Sequence, residues 1–426
     1  MQQQMEQAQA RVLAAIDESA LVATLVELVR IPSLTGSAAE SDLQHRIADE
    51  LIAADLDVDL WSLDLKALSD DPDFPGMEVE RTEGYGVAAV TAGAGTAALL
   101  LQGHVDVVPV GDPRRWDGFD PFAGRIAGGV LFGRGACDMK AGLAVNLEVV
   151  RAIRRSGVRL ERPLGFHSVV GEEDGGIGAF ATMRRGHVGD ACVITEPTSG
   201  KLVVANAGAL TFRLAVTGRA AHGSARLEGH SAIDAFLPVR AALMELERER
   251  NLDRDPLFGN SPLPYPISVG RLRAGDWASS VPDLLEAEGR FGVRLDEDVS
   301  AARAAFEAAI AAACERDPWL RGHPVDVSWP GGQFASGRIA LDHPLIEETA
   351  NAVAAVTAGP SPEPIAASYG SDLRLYTGLG KIPTVHYGPG DVRFAHAPRE
   401  QVPLAEVIQA ARAMALLAAR RCGAHL

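Results

Sequence analysis

Apolar residues recur in two rhythms along this chain. Over residues 8–30 they fall at helical spacing (Val12, Ile16, Leu21, Leu25, Val29) and stop at Ile31-Pro32-Ser33, which predicts one helix. A second amphipathic helix is predicted over 38–54. Strand-like runs then alternate with helical ones: strands at 85–90 and 97–102, a helix at 140–155, and strands at 164–170 and 191–195. The helix from Lys140 has Arg154 and Arg155 in its last turn and Gly157 behind them, a well-formed C-terminus. Strands alternating with helices predict an α/β layer structure.

From about Gly208 the texture changes. Residues 210–217 alternate like a half-buried strand. A helix over 231–248, a proline-rich loop over 260–266, strands at 267–272 and 284–293, a helix at 300–316 and a strand at 325–329 follow. This content predicts a small α+β domain. Residues 331–337 read as a return linker, after which a helix (345–357), a strand (383–387) and a helix (404–419) resume the first texture. The predicted fold class is therefore α/β. One domain is in two parts, 1–207 and 331–426, interrupted by an inserted α+β domain at 208–330.

Length agrees with two domains, since 426 residues exceed what one core usually holds. The 56 acidic against 40 basic residues leave a net charge of −16, which disfavours a nucleic-acid backbone or an anionic membrane as partner. The longest uncharged stretch, 84–103, contains Gly93 and Gly95. It reads as two buried strands and a turn rather than a transmembrane helix. The N-terminus shows no basic region followed by an apolar one, so no signal peptide is expected. Cys137, Cys192, Cys314 and Cys422 are scattered, which fits neither a disulfide framework nor a thiolate zinc site and predicts a reduced, cytoplasmic protein.

Five segments carry candidate chemistry. His104 ends a buried strand, where ligands gather in open α/β sheets, and Asp106, two positions on, faces the same side. Asp138 lies in a glycine-flanked turn just before the helix at Lys140. Glu172, Glu173 and Asp174 end another apolar strand ahead of a glycine-rich turn. Glu196 ends a third, and His396 follows the loop Tyr387-Gly-Pro-Gly390. Taken singly, each has a plainer interpretation: a strand-capping histidine, a helix N-cap, a solvated acidic loop. Together they supply nitrogen and oxygen donors without thiolates, a set suited to zinc, cobalt or manganese. Divalent cations would also relieve the repulsion among adjacent carboxylates.

In this order the segments resemble the M20 family of dinuclear metallohydrolases, which includes acetylornithine deacetylase and succinyl-diaminopimelate desuccinylase. The resemblance rests on His-x-Asp, Gly-x-x-Asp-Met-Lys-x-Gly, Gly-Glu-Glu, Glu-Pro-Thr and the late Gly-Pro-Gly…His, and extends over most of the chain. The run Ser368-Tyr-Gly-Ser-Asp372 is similar to the deacetylase branch. The likeness implies a central-sheet metallohydrolase domain with an inserted lid and dimerisation domain. It implies two divalent metal ions, zinc first, with cobalt or manganese as alternatives. His104, Asp138 and Glu196 match the ligands of one ion, and Asp138, Glu173 and His396 those of the other. Glu172 matches the general base, Asp106 the partner of His104, and the bond after Asp138 the family's cis peptide.

In the inserted domain, His222 resembles the lid histidine that contacts the substrate carbonyl. Arg290 and Arg294 both match the place of an arginine that binds a substrate carboxylate. Asp372 and the loop Gly388-Pro389-Gly390 are read as pocket-lining, with a plain structural turn an equal reading for the glycines. Ser280 stands where the family often has Asn before Val-Pro. The implied activity is hydrolysis of the amide bond of a small N-acyl amino acid or related N-acyl amine, a deacylase. A dipeptidase or carboxypeptidase, or a deformylase of a formylated heterocyclic amine, is the alternative within the family. A two-lobed binding protein without catalysis would have no need of Glu172. The partners implied are a small-molecule substrate and a second copy of the chain through the inserted domain.

Overall fold

The computed structural model describes residues 2–357 and 359–426. Two compact units are present. The first takes in the residues up to Ala205, Arg338–Ile365 and Asp372–Leu426; the second comprises Asn206–Gly337 and Ala366–Ser371.

A nine-stranded mixed sheet organises the first unit. Its spatial order is Asp57–Ser62, Tyr85–Val90, Leu164–Val169, Leu99–His104, Cys192–Ile194, Thr384–His386, Leu202–Asn206, Gly337–Arg338, with Pro364–Ala367 paired to Leu202–Asn206 off this path. The four strands from Leu164–Val169 to Thr384–His386 run parallel, and their outer neighbours are antiparallel. Leu99–His104 and Leu164–Val169 are buried at every position, as parallel strands covered on both faces must be. The helix Lys140–Ser156 is buried along most of its length, and Gly157 ends it in the left-handed conformation, φ 67°. At its start the buried Lys140 Nζ donates to Leu28 O (3.0 Å) and Ile31 O (2.7 Å), tying this helix to the end of Glu18–Val29.

The second unit is an antiparallel sheet with helices on it. Its strand order is Ile267–Ala274, Leu284–Val293, Gly208–Thr217, Asp326–Ser328. Gly208–Thr217 buries alternate residues, so one face meets the helices Ala232–Arg250 and Val299–Arg316. Phe212, Phe291 and Phe306 form the centre of that core.

Three local expectations change. The helix predicted over 8–30 is two helices, Gln2–Ala14 and Glu18–Val29. Asp17 breaks them and caps the second, its carboxylate accepting from Ala20 N at 2.9 Å. The apolar spacing hides the break because Val12, Leu21 and Leu25 are all buried across it. The strands expected at 85–90 and 97–102, joined by a turn, are Tyr85–Val90 and Leu99–His104, and Leu164–Val169 lies between them in the sheet. The segment 331–337 is more than a linker: Gln333–Phe334 pairs with Gly208–Thr217. All four cysteines are free and buried, and among the described residues no helix is long and apolar enough to cross a membrane.

Candidate active site

The central parallel strands end at one edge of the sheet, and each hands the chain to a turn bearing candidate ligands. His104 stands opposite Val169 in the strand register, so His104 and the turn over 171–174 leave the sheet at the same level. Glu196 follows Cys192–Ile194, and His396 lies in the loop beyond Thr384–His386.

His104 is fully buried. Its Nε2 lies 3.2 Å from Asp138 Oδ1 and 3.6 Å from Glu196 Oε1. His396 Nε2 lies 2.9 Å from Glu173 Oε2 and 3.4 Å from Asp138 Oδ2. Asp138 therefore turns one carboxylate oxygen to each imidazole. Within each triad the donor atoms all lie within 4.8 Å of one another.

The donor chemistry fits a cation at both places. His104 Nδ1 lies 3.0 Å from the Asp106 carbonyl oxygen and donates to it, which leaves the Nε2 lone pair facing two carboxylates. Acceptors facing acceptors require a proton or a metal ion between them. Donors about 2.1 Å from a tetrahedral zinc stand about 3.4 Å from each other, close to the separations seen here.

Charge tells the same story in the metal-free protein. Burial opposes a charge on His104, yet hydrogen bonding to Asp106 and Asp138 carries its pKa well above the ordinary histidine value. Glu173 beside His396 lifts that imidazole to about 11. Burial pushes Asp138 up, but the two imidazoles hold its carboxyl far below the usual range. Glu196 is driven well up by burial and then by Asp138. Glu172 is driven well up by burial, then by Asp372 and Glu196.

Asp106 does more than its strand position predicts. Its carboxylate is 3.5 Å from His104 Nδ1, and its two oxygens accept from Glu172 N and Glu173 N, each at 3.2 Å. The Asp138–Met139 peptide is cis. Cys137, beside it, is buried and its thiol is pushed well up, the state of a packed residue and not of a nucleophile.

Asp372 is fully buried beneath the Glu172 turn, accepting from Gln102 Nε2 at 3.0 Å, and a Cβ on Gly176 would stand 2.4 Å from its Oδ1. Gly390, at φ 98°, lets its loop approach Cys137, whose Sγ would be 2.9 Å from an added Cβ. His222, Arg290 and Arg294 belong to the second unit.

Sequence reasoning passed over Glu400. This fully buried carboxylate accepts from Cys137 N and Asp138 N with one oxygen (2.9 Å each), and from Gly135 N (3.0 Å) and Arg134 Nη1 (2.6 Å) with the other. It holds the Asp138 turn while sitting four residues after His396, and that proximity was the only signal. Asn146 plays a similar part for Glu196: its Nδ2 donates to Thr195 Oγ1 (2.9 Å) and Gln102 O (3.1 Å).

An open α/β sheet whose parallel strands, together with the turn before the helix at Lys140, bring two imidazoles and three carboxylates beside a buried carboxyl group has the donor set of a cation-dependent hydrolase. The sequence model of peptidase family M20/M25/M40 matches residues 100–420, and the chain belongs to this family, as a metal-dependent hydrolase of amide bonds. An N-formyl-4-amino-5-aminomethyl-2-methylpyrimidine deformylase of Halalkalibacterium halodurans is 26% identical over 329 residues, covering 73% of this chain and 76% of the relative. An acetylornithine deacetylase of Proteus mirabilis is 26% identical over 397 residues, covering 89% and 91%. Among solved structures, the Saccharomyces cerevisiae dipeptidase Dug1p shares the fold at a TM-score of 0.78 and 14% identity, over 97% of this chain and 98% of that one.

Proposed function

We propose that this chain is a deacylase that hydrolyses the amide bond of a small N-acyl amino acid or related N-acyl amine. The observation that carries this reading is the pair of donor triads sharing Asp138, with the buried Glu172 carboxyl beside them. His104, Asp138 and Glu196 hold one cation, and Asp138, Glu173 and His396 the other. Bound there, two divalent cations (zinc first, cobalt or manganese otherwise) lower the pKa of a water from about 15.7 towards ~7 and polarise a carbonyl oxygen.

Glu172 takes the proton of the attacking water and returns it to the leaving nitrogen. A carboxyl whose pKa is raised by burial is suited to that exchange near neutrality. Asp106 keeps His104 in the tautomer that presents Nε2, and its carboxylate holds the amides of Glu172 and Glu173. His222 Nδ1 accepts from Ser224 N at 3.2 Å, which leaves the proton on Nε2, the form that donates to a developing oxyanion.

Of the two arginines, Arg290 is the better carboxylate ligand. Arg294 donates through Nε to Arg250 O (3.1 Å) and through Nη2 to Glu249 O (3.3 Å), closing the end of a helix. Arg290 gives one Nη2 bond, to Ser368 O at 2.6 Å, and burial lowers its pKa, so an anion would relieve it. We further infer a cytoplasmic enzyme, supported by four free cysteines, and a homodimer through the second unit, on family likeness alone.

A second reading, hydrolysis of an N-formyl heterocyclic amine, is favoured by the deformylase relative. One experiment separates them. The zinc-loaded chain is assayed on N-acetyl amino acids, an N-formyl aminomethylpyrimidine and dipeptides, with a chelator control. The first reading expects kcat/KM highest on the N-acetyl amino acids. Faster turnover of the formyl amine selects the second, and a rate untouched by the chelator refutes both.

A further inference from the structure

The third acid of the run Glu172-Glu173-Asp174 has no part in the two triads. Asp174 is buried, and its Oδ2 accepts from Val79 N at 3.1 Å. Its Oδ1 lies 3.5 Å from Nη2 of Arg81, a side chain with no exposed surface. Arg81 Nη1 pairs with Glu40 Oε2, in the first turn of the helix Ala38–Ala53. Glu40 in turn accepts from Gly171 N through Oε1 and from Gly36 N through Oε2, each at 2.9 Å.

These contacts enclose the turn that bears Glu172. Three successive amides, of Gly171, Glu172 and Glu173, donate to buried carboxylates: the first to Glu40, the next two to Asp106. Arg81 bridges Glu40, which holds the start of the turn, to Asp174, which ends it. Gly171 fits closely under the guanidinium. At φ 63° it adopts a conformation suited to glycine, and a Cβ there would lie 2.6 Å from Arg81 Nη2 and 3.0 Å from Asp174 Oδ1. Arg81 is also the cation facing three buried acids, Glu40, Asp106 and Asp174. A planar fork can hold two carboxylates at once, which an ammonium cannot do in the same way.

We propose that Arg81, acting through Glu40 and Asp174, is a positioning residue that sets the 171–174 turn and with it the Glu172 carboxylate; this rests on Glu172 being the general base. Arg81 has Glu40 and Asp174 as its partners, neither of them a candidate metal ligand. Its effect is geometric, and misplacing a reacting group by about 1 Å can cost on the order of 100-fold in rate.

The test uses the full chain and the variants Arg81→Met, Arg81→Lys and Glu40→Gln. Three quantities are read: amide hydrogen exchange over 171–173 in the metal-free protein, zinc stoichiometry, and kcat and KM on the best substrate of the panel above. In Arg81→Met, exchange over 171–173 speeds up while the strand Gly208–Thr217 keeps its protection. Zinc stoichiometry at saturation and KM stay near wild type, and kcat falls about 10- to 100-fold. Arg81→Lys, which keeps the charge but not the fork, recovers part of both losses. If Arg81→Met does not fold, Glu40→Gln carries the same expectation, since its amide oxygen still accepts from Gly171 but gives Arg81 no charge. Unchanged exchange, or faster exchange with unaltered kcat, overturns the proposal. A wild-type chain that binds zinc yet cleaves no amide refutes the proposed activity instead. The exchange arm needs no substrate and then decides alone whether Arg81 positions the turn.

Discussion

Replacing Glu400 by Gln should disable the Asp138 turn. The carboxylate receives four donors, two on each oxygen, and all are buried with it. A carboxamide offers one oxygen and one NH2. With that oxygen turned to Arg134, whose side chain is 2% exposed, the NH2 faces the amides of Cys137 and Asp138. Two buried N–H groups then lose their acceptor, at about 1–3 kcal/mol each, so the cost is about 4 kcal/mol. The opposite rotamer leaves Arg134 buried without its partner, at about 3–5 kcal/mol. Either way Tm should fall by about 8 °C, at about 2 °C per kcal/mol for a unit of this size.

Because Asp138 faces both imidazoles, the same change should weaken both cation sites, by about 10- to 100-fold. Calorimetry of the metal-free protein reads the first effect and zinc titration the second. A Glu400→Gln protein with wild-type Tm and zinc affinity would refute the reasoning. A fall in Tm with both affinities intact would show that Glu400 supports the fold and not the ligands.

Glu172→Gln should retain both cations and lose about 10²- to 10⁴-fold in kcat, whereas Glu173→Ala should lose cation binding in the triad containing His396; metal analysis beside initial rates distinguishes them, and wild-type turnover by Glu172→Gln removes its role as base. A Cβ on Gly142 would stand 2.0 Å from Thr195 O, so Gly142→Ala should cost about 1–3 kcal/mol and shift Glu196; unaltered unfolding and metal content would contradict this. His167 and His386 are buried, and burial pushes each down to about 3. Between about pH 6.5 and about pH 3 the unfolded chain binds the more protons, so stability drops as the pH is lowered through that range, by on the order of 1.4 kcal/mol per unit per histidine. His167→Gln should flatten the dependence of urea midpoints on pH, and an unchanged slope would count against it.

Local rules reach part of this fold. The strand over 164–170, the helix from Lys140 and its Gly157 terminus follow from nearest-neighbour rules, and the structure shows them. Most of the candidate ligands were legible for a related reason: His104, Glu173 and Glu196 each end or closely follow an apolar strand, and parallel strands end together at one edge of a sheet, whereas Asp138 and His396 lie in loops and were legible only through the motifs around them. Order along the chain thus foretells a shared place in space. The break at Asp17 was not legible, because burial on both sides continued the apolar rhythm across it. Nor was the insertion of Leu164–Val169 between two strands that precede it in the chain, since periodicity carries no information about sheet order.

By itself, then, the sequence determined the layer class and named the candidate donor set and the general-base candidate. Only the tertiary structure decided which buried polar groups hold them. Glu400 lies 262 residues from Asp138, Glu40 lies 131 from Gly171, and Arg81 sits in a stretch with no periodic pattern. A carboxylate on a helix or in a loop looks like surface until the fold removes its water. It must then find donors wherever the chain brings them, and that requirement selects partners that spacing along the sequence does not encode.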